Sequence, residues 1–217
     1  MMAVNDKAIV ERCIEEQDLS RLLKLLDVLD DFSEASLVKS LQWILRVDEK
    51  LVDDATKEIT SAEIKKRLSW SDENTEAPFS DRKCYVINLM LSQKFTPQFL
   101  QEEARSLSFD AVLTLTKYIQ FLLCWLPVME KPNRFVPSYE QIIDWLNVFV
   151  DSHFQQLKLS EDAAAVVNSL YDQVVVMSKW QLDSRMLYGT LAELNRQFEE
   201  KQRNVKMGDY CIEVISF

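Results

Sequence analysis

The sequence predicts an all-α protein, a layered or solenoid-like array of helices that ends in a short extended tail. Three observations carry that expectation. Apolar residues recur three and four positions apart along most of the 217 residues, which is the period of a helix face. Two glycines and five prolines supply too few turn residues for a many-stranded sandwich or barrel. Helix caps punctuate the chain at regular intervals, and a chain of this length buries roughly 70% of the surface it exposes when unfolded, enough for one large or two small helical layers around a shared core.

The first half reads as short helices. Residues 5–17 and 19–30 form a pair, with Leu22, Leu25, Leu26 and Leu29 at helical spacing on the second. Ser33 is an N-cap for a helix carrying Leu37, Val38, Leu41, Ile44 and Leu45. Asp48 is placed to cap a more polar helix running through Leu68. Its apolar positions Leu51, Val52, Ala55, Ile59 and Leu68 are sparse, which predicts an outer helix with one narrow buried stripe. Residues 69–80 read as an acidic linker, polar through Glu76 and closed by Pro78.

The second half is more apolar. Residues 84–92 read as helix, and Thr96-Pro97 combines a capping residue with proline at the first helical position. Ser108 opens the most hydrophobic segment, where Val112, Leu113, Leu115, Tyr118, Ile119, Leu122, Leu123 and Trp125 cover nearly every side. Such a helix is expected at the centre, stopped by Pro127. Ser138 and Gln141 have capping-box spacing. They open a helix with Ile142, Trp145, Leu146, Phe149 and His153 on one face, widened by Ile143, Val150 and Phe154. Ser160 caps a long run containing Val166, Val167, Leu170, Val174 and Met177, and Leu187, Leu191, Leu194 and Phe198 then keep a 4-3-4 spacing, the seam of a helix packed lengthwise on a neighbour.

After Gly208 the pattern changes. Tyr210, Cys211, Ile212, Glu213, Val214, Ile215, Ser216 and Phe217 are mostly β-branched or aromatic, a strand without an obvious partner in the chain. The tail either adds to the sheet edge of another protein or folds back on the helices as an apolar strap. The expected organisation is an N-terminal helical subdomain at 1–68, the linker at 69–80, a C-terminal helical subdomain at 81–207 and an interaction tail at 208–217. Tyr210, Ile212, Val214 and Phe217 are the candidate partner-binding residues. Trp70, beside the basic Lys65-Lys66-Arg67 cluster, is a candidate exposed anchor.

Composition argues against chemistry. No glycine-rich phosphate loop is available. A net charge of −10 repels a phosphate backbone, and the two basic clusters, at 65–67 and 201–206, end helices where cations also favour the macrodipole. Cys13, Cys84, Cys124 and Cys211 lack CxxC spacing and are read as buried free thiols. The single histidine, His153, lies on an apolar helix face with no nucleophile motif, so it reads as a core histidine. The pairs Asp30-Asp31, Asp53-Asp54 and Glu102-Glu103 point in different directions on a helix and read as solvated faces. The tryptophans and phenylalanines mostly occupy core spacing and lack interleaved Arg or Lys, which argues against stacking on RNA. No catalytic residue, cofactor, metal, membrane span or small-molecule substrate is expected.

The segment Gln141-Ile142-Ile143-Asp144-Trp145-Leu146 with Asp151 and His153-Phe154, the long helix through Glu193-Leu194, and the Tyr210-Cys211-Ile212-Glu213-Val214 ending together resemble the carboxy-terminal region of the nucleolar protein 11 family. The likeness is best over residues 139–217. It implies a nucleolar, non-enzymatic scaffold of the small-subunit processome, in the UTP-A group that supports pre-rRNA transcription and processing. It also implies propeller-containing UTP-A subunits as partners, with pre-rRNA met mainly indirectly. Family members usually carry a β-propeller ahead of the helices, so this chain is expected to correspond to the carboxy-terminal domain. Two other readings of the residues stand beside it, an RNA-binding module and a helical adaptor outside the nucleolus.

Overall fold

The computed structural model describes residues 6–29, 32–68, 77–125 and 134–206, apart from the side chains of Trp125 and of residues 202–206. Among them are ten helices and no strand. The chain forms two units, Met1–Val167 and Asn168–Phe217. The first contains nine helices and the opening of the tenth.

In the first unit α1 (Asp6–Glu15) and α2 (Leu19–Val28) form the expected pair. The chain reverses between them at Gln17, whose φ of 55° is left-handed. Amide hydrogen bonds from Gln17 to the Ile14 carbonyl and from Asp18 to the Cys13 carbonyl close α1, the pattern that usually carries glycine at the left-handed position. Asp18 then caps α2 by accepting from the Arg21 amide. Ser33 caps α3 (Glu34–Arg46) by accepting from the Ser36 amide.

The polar helix expected over 48–68 is two helices, α4 (Glu49–Ala55) and α5 (Ser61–Leu68). Asp48 stands at the N-cap of α4 without a side-chain capping bond. The break at Thr56 has a physical cause. Its hydroxyl donates to the Val52 carbonyl at 2.7 Å, and the Arg82 guanidinium bonds both the Thr56 carbonyl and its hydroxyl at 2.7 and 2.8 Å. The carbonyl of the C-cap residue Thr56 is thus held by a neighbouring helix and that of Val52 by the Thr56 hydroxyl, and the next turn is not needed to satisfy them. Thr60 restarts the chain by accepting from the Glu63 amide.

The most enclosed helix is α6 (Asp81–Leu91), capped by Ser80, rather than the hydrophobic segment after Ser108. Eight of its eleven residues are buried, and it packs on α2, α3, α4, α5 and α9 (Tyr139–Leu159). Its polar side chains conceal this in the sequence because they close neighbouring helices. Arg82 caps α4 as above, and the buried Lys83 ammonium donates to the Leu45 and Val47 carbonyls at 3.3 and 3.1 Å, at the C-terminus of α3. Asn88 accepts from the Tyr118 hydroxyl at 2.7 Å. The acidic residues 69–76 lie outside the described residues, and α5 and α6 on either side of them pack together.

Thr96 stands at the N-cap of α7 (Pro97–Ala104), with proline opening the helix. The apolar α8 (Phe109–Trp125) buries Val112, Leu115, Tyr118, Ile119, Leu122 and Leu123 while Lys117 and Cys124 face outward. Helix α9 packs on both α7 and α8. It opens with the complete capping box of Ser138 and Gln141 and buries Ile142, Trp145, Leu146, Val148, Phe149, His153 and Leu157. Ser160 closes α9 and caps α10 (Glu161–Lys206), accepting from the Ala163 amide.

Candidate functional site

His153 is where the buried face of α9 bends, with φ −123° and ψ 22° inside an otherwise regular helix. The ring is 5% exposed. Its Nε2 lies 3.2 Å from the Leu107 carbonyl, and its Nδ1 lies 2.8 Å from Ser152 Oγ. A carbonyl only accepts, so Nε2 carries a hydrogen. In the neutral tautomer Nδ1 accepts from the serine hydroxyl. Nε2 ties α9 to the α7–α8 connection while Nδ1 bonds within α9, so both nitrogens are occupied, which is the role of a core histidine. The bend turns Phe154 outward, 58% exposed, where the sequence placed it on the widened buried face. A cleft of about 400 Å³ beside the bend is lined by Arg105, Asp151, Ser152, His153, Phe154, Gln155 and Gln156.

Other polar side chains are also committed to structure. Arg67 donates to the Tyr85 hydroxyl at 3.0 Å and to Glu63 at 3.2 Å, and its guanidinium stacks 4.7 Å from the Phe135 ring centre. Only Lys65 and Lys66 of that basic cluster are exposed. Asp53 pairs with Arg82 at 3.4 Å, while Asp54, Glu102 and Glu103 are solvated as expected. Cys13 and Cys84 are buried, and desolvation pushes the Cys84 thiol up to about 12 against the opposing hydrogen bond from Tyr118. Cys124 is exposed, contrary to the expectation of a buried thiol, because it falls on the outer face of α8. Among the described residues no group of three or more His, Cys, Asp or Glu is placed to hold a metal ion. No described helix is long and apolar enough to cross a membrane.

The expected interaction residues Tyr210, Ile212, Val214, Phe217 and Trp70 lie outside the described residues, as do Cys211 and the Asp30-Asp31 pair. Among the described residues the longest row of exposed apolar side chains is on α10. Counting back from Leu187, Leu191, Leu194 and Phe198, an unbroken 3-4 alternation runs through Ser184, Trp180, Met177, Gln173, Leu170, Val166 and Ala163. In heptad terms the a positions are 163, 170, 177, 184, 191 and 198, and the d positions are 166, 173, 180, 187 and 194. Ala163, Val166 and Leu170 are buried. Farther along, Trp180, Leu187, Leu191, Leu194 and Phe198 are 66%, 60%, 54%, 46% and 64% exposed. The sequence places this seam against a neighbour, and the structure leaves those five side chains largely in solvent. Trp180, grouped with the core aromatics by its spacing, belongs to the same exposed row.

Between Met177 and Glu200 the charged residues other than Asp183 keep to the opposite side. Arg196 makes a two-bond fork with Glu193, at 2.8 and 2.9 Å, and donates to Glu200 at 2.7 Å. These residues occupy c and f positions. The fork, helped by Gln197, holds the Glu193 carboxyl down at about 2.

A model of the nucleolar protein 11 C-terminal domain family matches residues 5–217. The chain belongs to that family. Among curated relatives, nucleolar protein 11 of Xenopus laevis is 25% identical over 134 residues, which is 60% of this chain and 19% of the relative. Nucleolar protein 11 of Pongo abelii is 23% identical over 154 residues, 70% of this chain and 21% of the relative. The nucleolar protein 11-like protein of Danio rerio is 25% identical over 143 residues, covering 64% and 20%. The chain therefore spans about a fifth of the length of the curated relatives it matches. The nucleolar protein 11 match extends to nearly the whole chain, well beyond the 139–217 region where the motifs are densest.

Proposed function

We propose that this chain is a non-catalytic, protein-binding scaffold domain of ribosome biogenesis. It acts in the nucleolus within the small-subunit processome, as part of the UTP-A group that supports pre-rRNA transcription and processing. The observation that carries the reading is the nucleolar protein 11 family match across residues 5–217. The inward commitment of His153, Arg67, Arg82 and Lys83 supports it, since the side chains best suited to chemistry or phosphate contact are occupied in holding helices together.

In this proposal Tyr210, Ile212, Val214 and Phe217 form a strand that adds to the sheet edge of a propeller-containing subunit, and Trp70 is a second anchor. Contact with pre-rRNA is mainly through those partners. The test is capture from nuclear extract with the intact chain and with a chain ending at Met207, each with and without ribonuclease. Processome subunits recovered despite ribonuclease, and lost with the tail, are the expected result. Recovery that needs RNA replaces the scaffold with a nucleic-acid-binding module. Absence of processome subunits from both captures removes the assignment.

A further inference from the structure

We infer that the exposed stretch of α10 pairs with the same stretch of a second copy of this chain, as a two-helix coiled coil. The inference is independent of the processome reading, because it rests on the register of one helix. From Met177 to Phe198 the a and d positions run for three heptads without a break, and Ser184 is the only polar residue among them. In coiled coils the e and g positions select the partner by charge. Here the e positions are Val174, Gln181, Tyr188 and Asn195, and the g positions are Val176, Asp183, Thr190 and Gln197. A single charge in eight flanking positions asks for neither a basic nor an acidic partner helix. It also gives two copies no like-charge row to bring together. The ionic network of Arg196 with Glu193 and Glu200 lies at c and f, away from the seam, and stays intact when the seam is covered.

The area suffices for reversible pairing. The five largely exposed seam side chains include two aromatics, which cover on the order of 150–250 Å² each when fully buried. Together the five offer on the order of 500 Å² per copy, so a pair reaches about 1,000 Å², the lower bound for a specific interface. Interfaces at that lower bound belong to the weak and transient class, so reversible pairing is expected. Ser184 at an a position fixes the register at a cost in affinity, as single polar seam residues do.

The test is sedimentation of the purified 217-residue chain across about 1 to 100 μM, with circular dichroism beside it. The wild-type chain is expected to pass from monomer to dimer over that range. Leu187→Glu combined with Leu194→Glu should weaken the dimer by roughly a hundredfold, and Ser184→Leu should tighten it by about tenfold. Both should leave helix content unchanged, since these positions are not buried. A chain that stays monomeric throughout overturns the inference, and so does a dimer indifferent to both variants. If the monomeric chain instead loses a captured nuclear protein with the double variant, the seam belongs to a different helix and the second copy is excluded.

Discussion

Trp145 and Leu91 are joined across the core: the indole Nε1 of α9 donates to the carbonyl of the last residue of α6 at 3.0 Å. One turn earlier on α9, Gln141 Nε2 donates to the next carbonyl, Ser92, at 2.8 Å. A buried side chain of one helix therefore completes the end of another. Trp145→Phe keeps most of the apolar volume but leaves the Leu91 carbonyl without its donor. The expected cost is about 1–3 kcal/mol, read as a lower urea midpoint with an unchanged slope.

Lys83 does the same for α3. Its buried ammonium serves the Leu45 and Val47 carbonyls and sits 4.0 Å from Glu49. Lys83→Met retains the aliphatic stem and removes the charge. It should destabilise the first unit by about 2 kcal/mol, whereas Lys65→Met or Lys66→Met, at exposed positions of α5, should change the midpoint little. Equal effects at all three sites would show that the buried cation has no special role.

Gln17 carries the left-handed φ of 55° that closes α1. Gln17→Gly should raise stability by roughly 0.5–1 kcal/mol, because the backbone strain it relieves exceeds the side chain's exposed bond to the Ile14 carbonyl. Thermal unfolding of the two proteins side by side reads this directly, and a loss of stability would refute it.

Cysteine reactivity separates the faces of the helices. Cys124 should alkylate rapidly in the native protein, while Cys13 and Cys84 should react only after unfolding. For Cys84 the unfolded thiol ionises near 9 and the folded one near 12. Its contribution is fully present below pH 9, and stability declines as pH rises from about 9 towards 12. Peptide mapping after brief alkylation distinguishes the three sites.

Glu193 gives the opposite pH dependence. Its carboxyl ionises at about 2 in the folded helix against 4.5 ordinarily, so the support it lends is present above pH 4.5 and is lost as pH falls towards 2. Amide exchange over the later turns of α10 should quicken across that window, and Glu193→Gln should remove the dependence. Exchange that is as slow at pH 2.5 as at pH 6, after correction for intrinsic rates, would contradict the fork.

Helix positions were legible at most ends where capping chemistry is local. Ser33, Ser138 and Ser160 are close enough in sequence to the amides they accept from to be recognised in a row of letters, whereas Ser80 reads as the end of the linker and caps a helix that starts three residues earlier than expected. The break at Thr56 was not legible, because the group that stabilises it, Arg82, lies 26 residues away. For the same reason α6 looked less central than α8: polarity marks exposure until the polar groups are seen to close distant helix ends. The bend at His153 depends on Leu107, equally remote. Of the candidate surface, the 4-3-4 spacing from Leu187 to Phe198 was visible, but spacing alone does not say whether a neighbour covers it. Trp180 shows the difference, since its position in the repeat is that of a core residue and its exposure is that of a surface one.

The stacking of Arg67 on Phe135 also limits what salt can do to this protein. With that guanidinium spent on Tyr85, Glu63 and an aromatic ring, the first basic cluster offers a nucleic acid two mobile ammonium groups, those of Lys65 and Lys66. Two neutralised phosphates release about two counterions, so affinity for duplex through this cluster would fall with a logarithmic slope of only about −2. Raising ionic strength should therefore leave associations of the helical face almost untouched while stripping away adventitious polyanions.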